Sequence, residues 1–291
     1  MAGKELEGKV AIVTGGSRGL GREMAIAFAG AGCAGVTITA APGSDEAAAD
    51  IEAELNQTLA AVEHAGGKGL AVVADVANTD DCKRVVAETV KTFGALHILV
   101  NNAGKAGRYA HGGKGDMAIY DADPEGFRDV IETNVLGPFL MAHAATKHMV
   151  DGGWGRIINI SKRTDSMHRS AITPYGPSKA ALEAATIAWA EALLETGVTV
   201  NSLSPGGSLN TKFGTGKIPN RGLEPTVIVP MATWLASVAS DGVTGCRYAA
   251  DKWDGSLPPD EAAEGCRERA IFPAPKRETP LHKAWTEPGG K

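Results

Sequence analysis

One feature constrains this chain more than any other: short, nearly continuous apolar runs alternate with longer stretches of helical spacing. The runs are 9–14, 36–40, 70–74, 97–101, 156–160 and 198–203. Such runs mark strands covered on both faces, because a strand with one wet face would alternate apolar and polar residues. The stretches 20–31, 45–65, 79–93, 125–149, 176–195 and 226–239 space their apolar residues as helices do. Each connection is long enough for a crossover helix, so the expected architecture is a single α/β domain with a doubly wound, Rossmann-like parallel sheet and helices on both faces. A seventh, weaker strand is expected over 243–249. The domain is expected to span 1–250, with 251–291 as a C-terminal arm or tail. That last stretch holds 6 of the chain's 15 prolines.

Composition excludes several classes of function. No run approaches the roughly 18 apolar residues of a membrane helix. The first residues, MAGKELEGK, carry charges where a secretory signal needs an apolar centre. A net charge of −5 with no basic block gives no electrostatic footprint for nucleic acid. Cys33, Cys82, Cys246 and Cys266 lie far apart without CxxC spacing, so neither zinc nor a disulfide framework is expected, and a reducing cytoplasm fits.

Chemistry gathers at the ends of the strands, where open α/β sheets bind ligands. The first strand runs into Thr14-Gly15-Gly16-Ser17-Arg18-Gly19-Leu20-Gly21. Glycines there let backbone N–H groups and a helix N-terminus approach a pyrophosphate. Asp75-Val76 closes the third strand, Asn102-Ala103-Gly104 follows the fourth, and Ser161 follows the fifth. Asn134 falls inside a helical stretch. Tyr175 and Lys179 are four residues apart, on one helical face, with Pro177 near the helix start.

Together these residues resemble the short-chain dehydrogenase/reductase family. Thr14-Gly15-xxx-Gly19-x-Gly21 matches its TGxxxGxG turn, Asn102-Ala103-Gly104 its NAG motif, and Tyr175-xxx-Lys179 its YxxxK. Asn134 lies where the family places its active-site Asn. Pro205-Gly206 followed by Thr211 resembles the segment that closes over the nicotinamide. The resemblance covers about residues 8–250. It implies a pyrophosphate held by Gly15, Ser17, Gly19 and their neighbours, adenine flanked by Asp75 and Val76, and ribose supported by Asn102 to Gly104. It also implies that Lys179 holds the nicotinamide ribose and lowers the Tyr175 phenol from its usual value of about 10. Tyr175 would then act as general acid or base between a carbonyl and an alcohol, with Asn134 binding a water that links Lys179 to solvent. The expected function is therefore an NAD(P)-dependent oxidoreductase acting on a small-molecule carbonyl or alcohol. The alternatives are a sensor or scaffold that binds cofactor without turnover, and a lyase or epimerase on the same scaffold.

Three further expectations follow. NADP is favoured over NAD, because no carboxylate follows the second strand before Asp45 and Arg18 stands ready to pair with a 2′-phosphate. A homo-oligomer, tetramer or dimer, is expected from the nearly all-apolar helix after Tyr175, where the family pairs subunits. The family also places a catalytic Ser 12 or 13 residues before its Tyr, and those positions hold Arg163 and Lys162. The preferred reading gives the role to Ser161, 14 residues back, with Lys162 or Arg163 as the substitute and an impaired site as the third possibility. Residues 105–124 read as a solvated loop or a substrate lid, and 251–291 as a solvated tail or a subunit-clasping arm.

Overall fold

The computed structural model describes residues 4–42, 48–111, 118–169, 173–213 and 221–272. Strands β1 (Val10–Thr14), β2 (Gly35–Ala40) and β3 (Gly69–Val73) alternate with helices α1 (Gly19–Gly30), α2 (Ala48–His64) and α3 (Thr79–Phe93). β4 (Ile98–Asn101) follows. The chain then passes through the short α4 (Arg108–His111), α5 (Pro124–Ile131) and α6 (Gly137–Asp151) to β5 (Gly155–Ile160). The remaining elements are α7 (Tyr175–Ala192), β6 (Val198–Ser204), α8 (Val229–Ala236), β7 (Arg247–Ala249), α9 (Pro259–Cys266) and β8 (Arg267–Glu268).

The strands lie in the order β3-β2-β1-β4-β5-β6-β7-β8, parallel except for β8. Val13 sits opposite Ile38 on one side and Val100 on the other. The order reverses between β1 and β4, which opens a crevice at their C-terminal ends. The doubly wound α/β expectation is borne out. Each face has its own core. Met24, Phe28, Ile38, Leu55, Met231 and Leu235 fill one, while Val85, Leu99, Met141, Met149 and Ile157 fill the other. Each such side chain contributes roughly 1.5–3 kcal/mol by leaving water. β3 is only half covered because it forms the sheet edge, with Val73 38 % exposed.

Local chemistry explains the helix boundaries. Asn78 caps α3 by accepting from the Asp80 and Asp81 N–H groups, and Gly94 ends it in a left-handed conformation. Asp123 caps α5 ahead of Pro124. The continuous helix expected over 125–149 is interrupted by a π turn at Glu132–Leu136, where Gly137 N–H reaches the Glu132 carbonyl. Pro138 has no N–H to give the Asn134 carbonyl, so the α ladder breaks there.

The C-terminal boundary also moves. Residues 259–268 form α9 and β8 rather than an arm, with Ala263 and Cys266 inside the first core and β8 paired to β7. The spacing of Ala262, Ala263 and Cys266 was too small and weakly apolar to stand out beside the prolines. The residues after 272 lie outside the described part, as do 112–117 of the expected loop.

Candidate active site

The glycine turn is built by close approach. A Cβ on Gly15, which has φ +64°, would meet Asn102 Nδ2 and Ala103 Cα at 2.9 Å, and one on Gly21 would overlap the Gly15 carbonyl. Thr14 Oγ1 accepts from the Asn102 and Ala103 N–H groups, each at 3.0 Å, while Asn102 Nδ2 donates to the Thr14 and Gly15 carbonyls at 2.8 and 3.1 Å. The Asn102 amide thus fixes the turn against β4. Gly19 and Leu20 open α1, whose start has no side-chain cap and no acidic residue in its first turn. That leaves N–H groups and the positive end of a 12-residue helix facing the crevice, which suits a pyrophosphate.

Ser17 and Arg18 have a partner that the sequence did not reveal. Glu54 of α2 accepts from Ser17 Oγ at 3.1 Å and pairs with Arg18 Nη1 at 3.2 Å. Glu54 stands 36 residues beyond Arg18, and no motif spacing marks it. Asp45, the first acid after β2, lies outside the described residues. At the end of β3, Asp75 is held by its N–H bond to Asp81 and accepts from Ala77 N–H, and Val76 is buried under Gly137. Across the crevice, Thr211 Cγ2 lies 3.4 Å from where a Gly19 Cβ would stand, and the Phe213 ring meets Tyr175 edge-on at 5.5 Å. The segment after Pro205-Gly206 therefore bridges the glycine turn and the tyrosine.

The first turn of α7 carries Tyr175 and Lys179. A buried chain, Asn101 to Asn159 to Thr186, each bond 2.9 Å, ties β4, β5 and α7 together. Lys179 is 3 % exposed, and its Nζ donates to the Ile160 carbonyl at 2.7 Å and lies 5.9 Å from the Tyr175 ring centroid. Burial lowers its ammonium to about 8, against the pull of Glu183 one turn on. The half-buried Tyr175 phenol is pushed above its ordinary value by desolvation. Glu183 is itself buried, bonded to Ser202 Oγ and paired with Arg247, which also reaches Glu268 and the Lys162 carbonyl.

Asn134 sits in the π turn, fully buried. Its Nδ2 donates to the Lys105 carbonyl and Ser178 Oγ, each at 2.9 Å, and its Oδ1 accepts from Lys105 N–H at 2.8 Å. Both amide protons are committed, so this side chain pins the 105 segment to α7 and keeps only an Oδ1 lone pair for a water. Beyond that pin, Ile119 and Tyr120 are 84 % and 86 % exposed.

Around the missing serine, Ser161 is 2 % exposed and its hydroxyl is buried without a hydrogen-bond partner among the described residues. Arg163 is turned out to Asp165. Lys162 Nζ lies 5.2 Å from the Tyr175 ring centroid. The preference for Ser161 therefore meets a hydroxyl enclosed by protein, whereas the neighbouring ammonium lies over the Tyr175 ring. No group of three potential metal ligands and no helix able to cross a membrane occurs among the described residues.

Sheet order, glycine turn and Tyr-Lys pair define a dinucleotide-binding α/β oxidoreductase fold. The short chain dehydrogenase family profile matches residues 9–218. An uncharacterized oxidoreductase of Methylorubrum extorquens is 34 % identical over 83 % of this chain and 95 % of its own. Glucose 1-dehydrogenase 2 of Bacillus subtilis is 30 % identical over 85 % and 95 %. The crystal structure of a short chain dehydrogenase from Mycobacterium paratuberculosis bound to NAD superposes with a TM-score of 0.71 at 31 % identity, covering 84 % of this chain and 96 % of that one. The chain belongs to the short-chain dehydrogenase/reductase family, and it is an oxidoreductase of that family.

Proposed function

We propose that the protein interconverts a small-molecule carbonyl and its alcohol, with Tyr175 as general acid and base and Lys179 as the charge that tunes it. The buried Lys179 ammonium beside the Tyr175 ring carries this reading. A nicotinamide dinucleotide, when bound, supplies or accepts the hydride. The uncapped start of α1 and the glycine turn would hold its pyrophosphate, and Asp75 and Val76 would flank its adenine. Lys179 favours phenolate, offsetting the desolvation that otherwise keeps Tyr175 protonated. Tyr175 Oη gives its proton to the carbonyl oxygen in reduction and recovers it in oxidation. The exposed Ile119 and Tyr120, beyond the pin at Lys105, support a lid over the substrate.

NADP is the favoured dinucleotide, supported by Arg18 and by Ala40-Ala41-Pro42, which put no carboxylate directly after β2. Glu54 acts against that preference. The exposed edge of α7, formed by Ala181, Ala184, Ala188 and Ala192, supports close pairing of copies in a homo-oligomer. The reading is tested by following NADPH and NADH absorbance with a panel of ketones and aldehydes. Tyr175→Phe is expected to abolish turnover while leaving cofactor binding intact. Cofactor binding with no turnover in the wild type would favour a sensor or scaffold, and product without net change in NAD(P)H a lyase or epimerase.

A further inference from the structure

Lys162 stands 13 residues before Tyr175, one of the two positions where the family resemblance calls for a serine. Its backbone is fixed, because Arg247, only 2 % exposed, donates to its carbonyl. Among the described residues its ammonium makes one long hydrogen bond, to the Ser166 carbonyl at 3.4 Å, and lies 5.2 Å from the Tyr175 ring centroid. An ammonium has three N–H groups, so donors remain for a further acceptor beside the Tyr175 ring. Ser161 Oγ has no open surface that a substrate oxygen can touch, and Arg163 is held away by Asp165.

We propose that Lys162 is a catalytic residue of the oxidoreductase read above, donating a charge-assisted hydrogen bond to the substrate carbonyl oxygen beside Tyr175 Oη. The inference rests on that reading of the site. As hydride reaches the carbonyl carbon, the C=O π bond opens and its electron pair moves to oxygen. That oxygen takes the Tyr175 proton, while Lys162 keeps its own and lowers the energy of the developing negative charge. The charged groups around Lys162 are Lys179 on α7 and Arg169 and Asp165 on its own loop. Burial, reinforced by Arg169 and opposed by Asp165, lowers Lys162 to about 8, so it remains charged at neutral pH and loses its proton in mild alkali. Lys179 titrates in the same range, so substitution rather than the wild-type pH profile separates the two.

The test uses the full chain with NADPH or NADH and a fixed panel of pyruvate, ethyl acetoacetate, glucose and acetophenone. For the best-reduced carbonyl, kcat is compared in Lys162→Met, Lys162→Ser and Tyr175→Phe, with cofactor Kd from fluorescence titration as the check on folding. Lys162→Met is expected to lower kcat about a hundredfold, and Lys162→Ser to recover to within about tenfold of wild type, because a donor is restored. Cofactor Kd is expected to stay within about twofold of wild type in both, as a donor aimed at the substrate oxygen requires. Full kcat in Lys162→Met overturns the proposal, as does a Lys162→Ser variant no better than Lys162→Met. If the wild type reduces nothing in the panel, or Tyr175→Phe keeps full kcat, the carbonyl–alcohol reading of the site itself falls and takes this inference with it.

Discussion

A carboxylate within hydrogen-bonding distance of both Ser17 and Arg18 changes what the glycine turn offers a dinucleotide. Glu54 neutralises Arg18 in the free protein and sets a negative charge near any 2′-phosphate that Arg18 would bind. Arg18 is 57 % exposed at its side chain, so solvent screens the pair, and its worth is at most about 1 kcal/mol. Glu54→Gln keeps the hydrogen bond from Ser17 and removes the charge. It is expected to tighten NADPH binding relative to NADH by about threefold to fivefold in a fluorescence titration. An unchanged ratio would mean that Glu54 and the phosphate do not meet. The contrast with Tyr175 and Lys179 shows what a sequence reveals at this scale. Those two share a helical face, so four residues of local text place them together. Glu54 reaches Ser17 only because α2 packs across the turn. Likewise the placement of Lys162 rests on contacts with Tyr175 and with Arg247, the latter 85 residues along the chain.

Among the elements, those with a strong period and a local cap were readable, and those defined by tertiary contact were not. α3 begins and ends where Asn78 and Gly94 place it, matching the expected 79–93. The π turn escaped notice because a single Pro in a long apolar stretch gives little sign of how the ladder will be repaired. α9 is anchored by only three small apolar residues, Ala262, Ala263 and Cys266, and β8 by an ion network, so neither shows as an apolar pattern. Arg247 on β7 joins Glu183 of α7, Glu268 of β8 and the carbonyl of Lys162, so one guanidinium connects the C-terminal elements to the loop after β5. Arg247 and Glu183 are 2 % and 4 % exposed at their side chains. Removing one partner leaves an uncompensated buried charge, which costs about 3–5 kcal/mol. Arg247→Met is therefore expected to unfold at lower urea by that amount, whereas Arg247→Met combined with Glu183→Gln recovers part of the loss. A single variant as stable as wild type would show that water or another donor reaches Glu183 when Arg247 is gone.

Across the whole molecule, buried titratable groups set how stability depends on pH. Burial lowers Lys162 and Lys179 to about 8, well under the value of about 10.4 for a lysine in an unfolded chain. Lys9 moves in the same direction, also through burial. Between about pH 8 and 9 the unfolded chain therefore holds lysine protons that the folded chain has released, and stability rises with pH. Burial acts with the opposite sign on acids. It pushes Cys33 and Cys82 up to about 12 and Cys266 to about 11, and raises the Tyr175 and Tyr248 phenols as well. Unfolded thiols ionise near 8.5 and phenols near 10, while their folded counterparts stay protonated. Above that range the folded chain holds more protons, and each proton of difference removes about 1.4 kcal/mol per pH unit. The thiols offset the lysines between about pH 9 and 10, and past about 10.5 the unfolded lysines also discharge, leaving five acids pulling one way. The urea midpoint, measured with reductant present, is expected to rise slightly from pH 7 to about 9 and to fall steeply by about 11. A midpoint that stays level from about 9 to 11 would mean that water reaches these thiols and phenols in the folded chain.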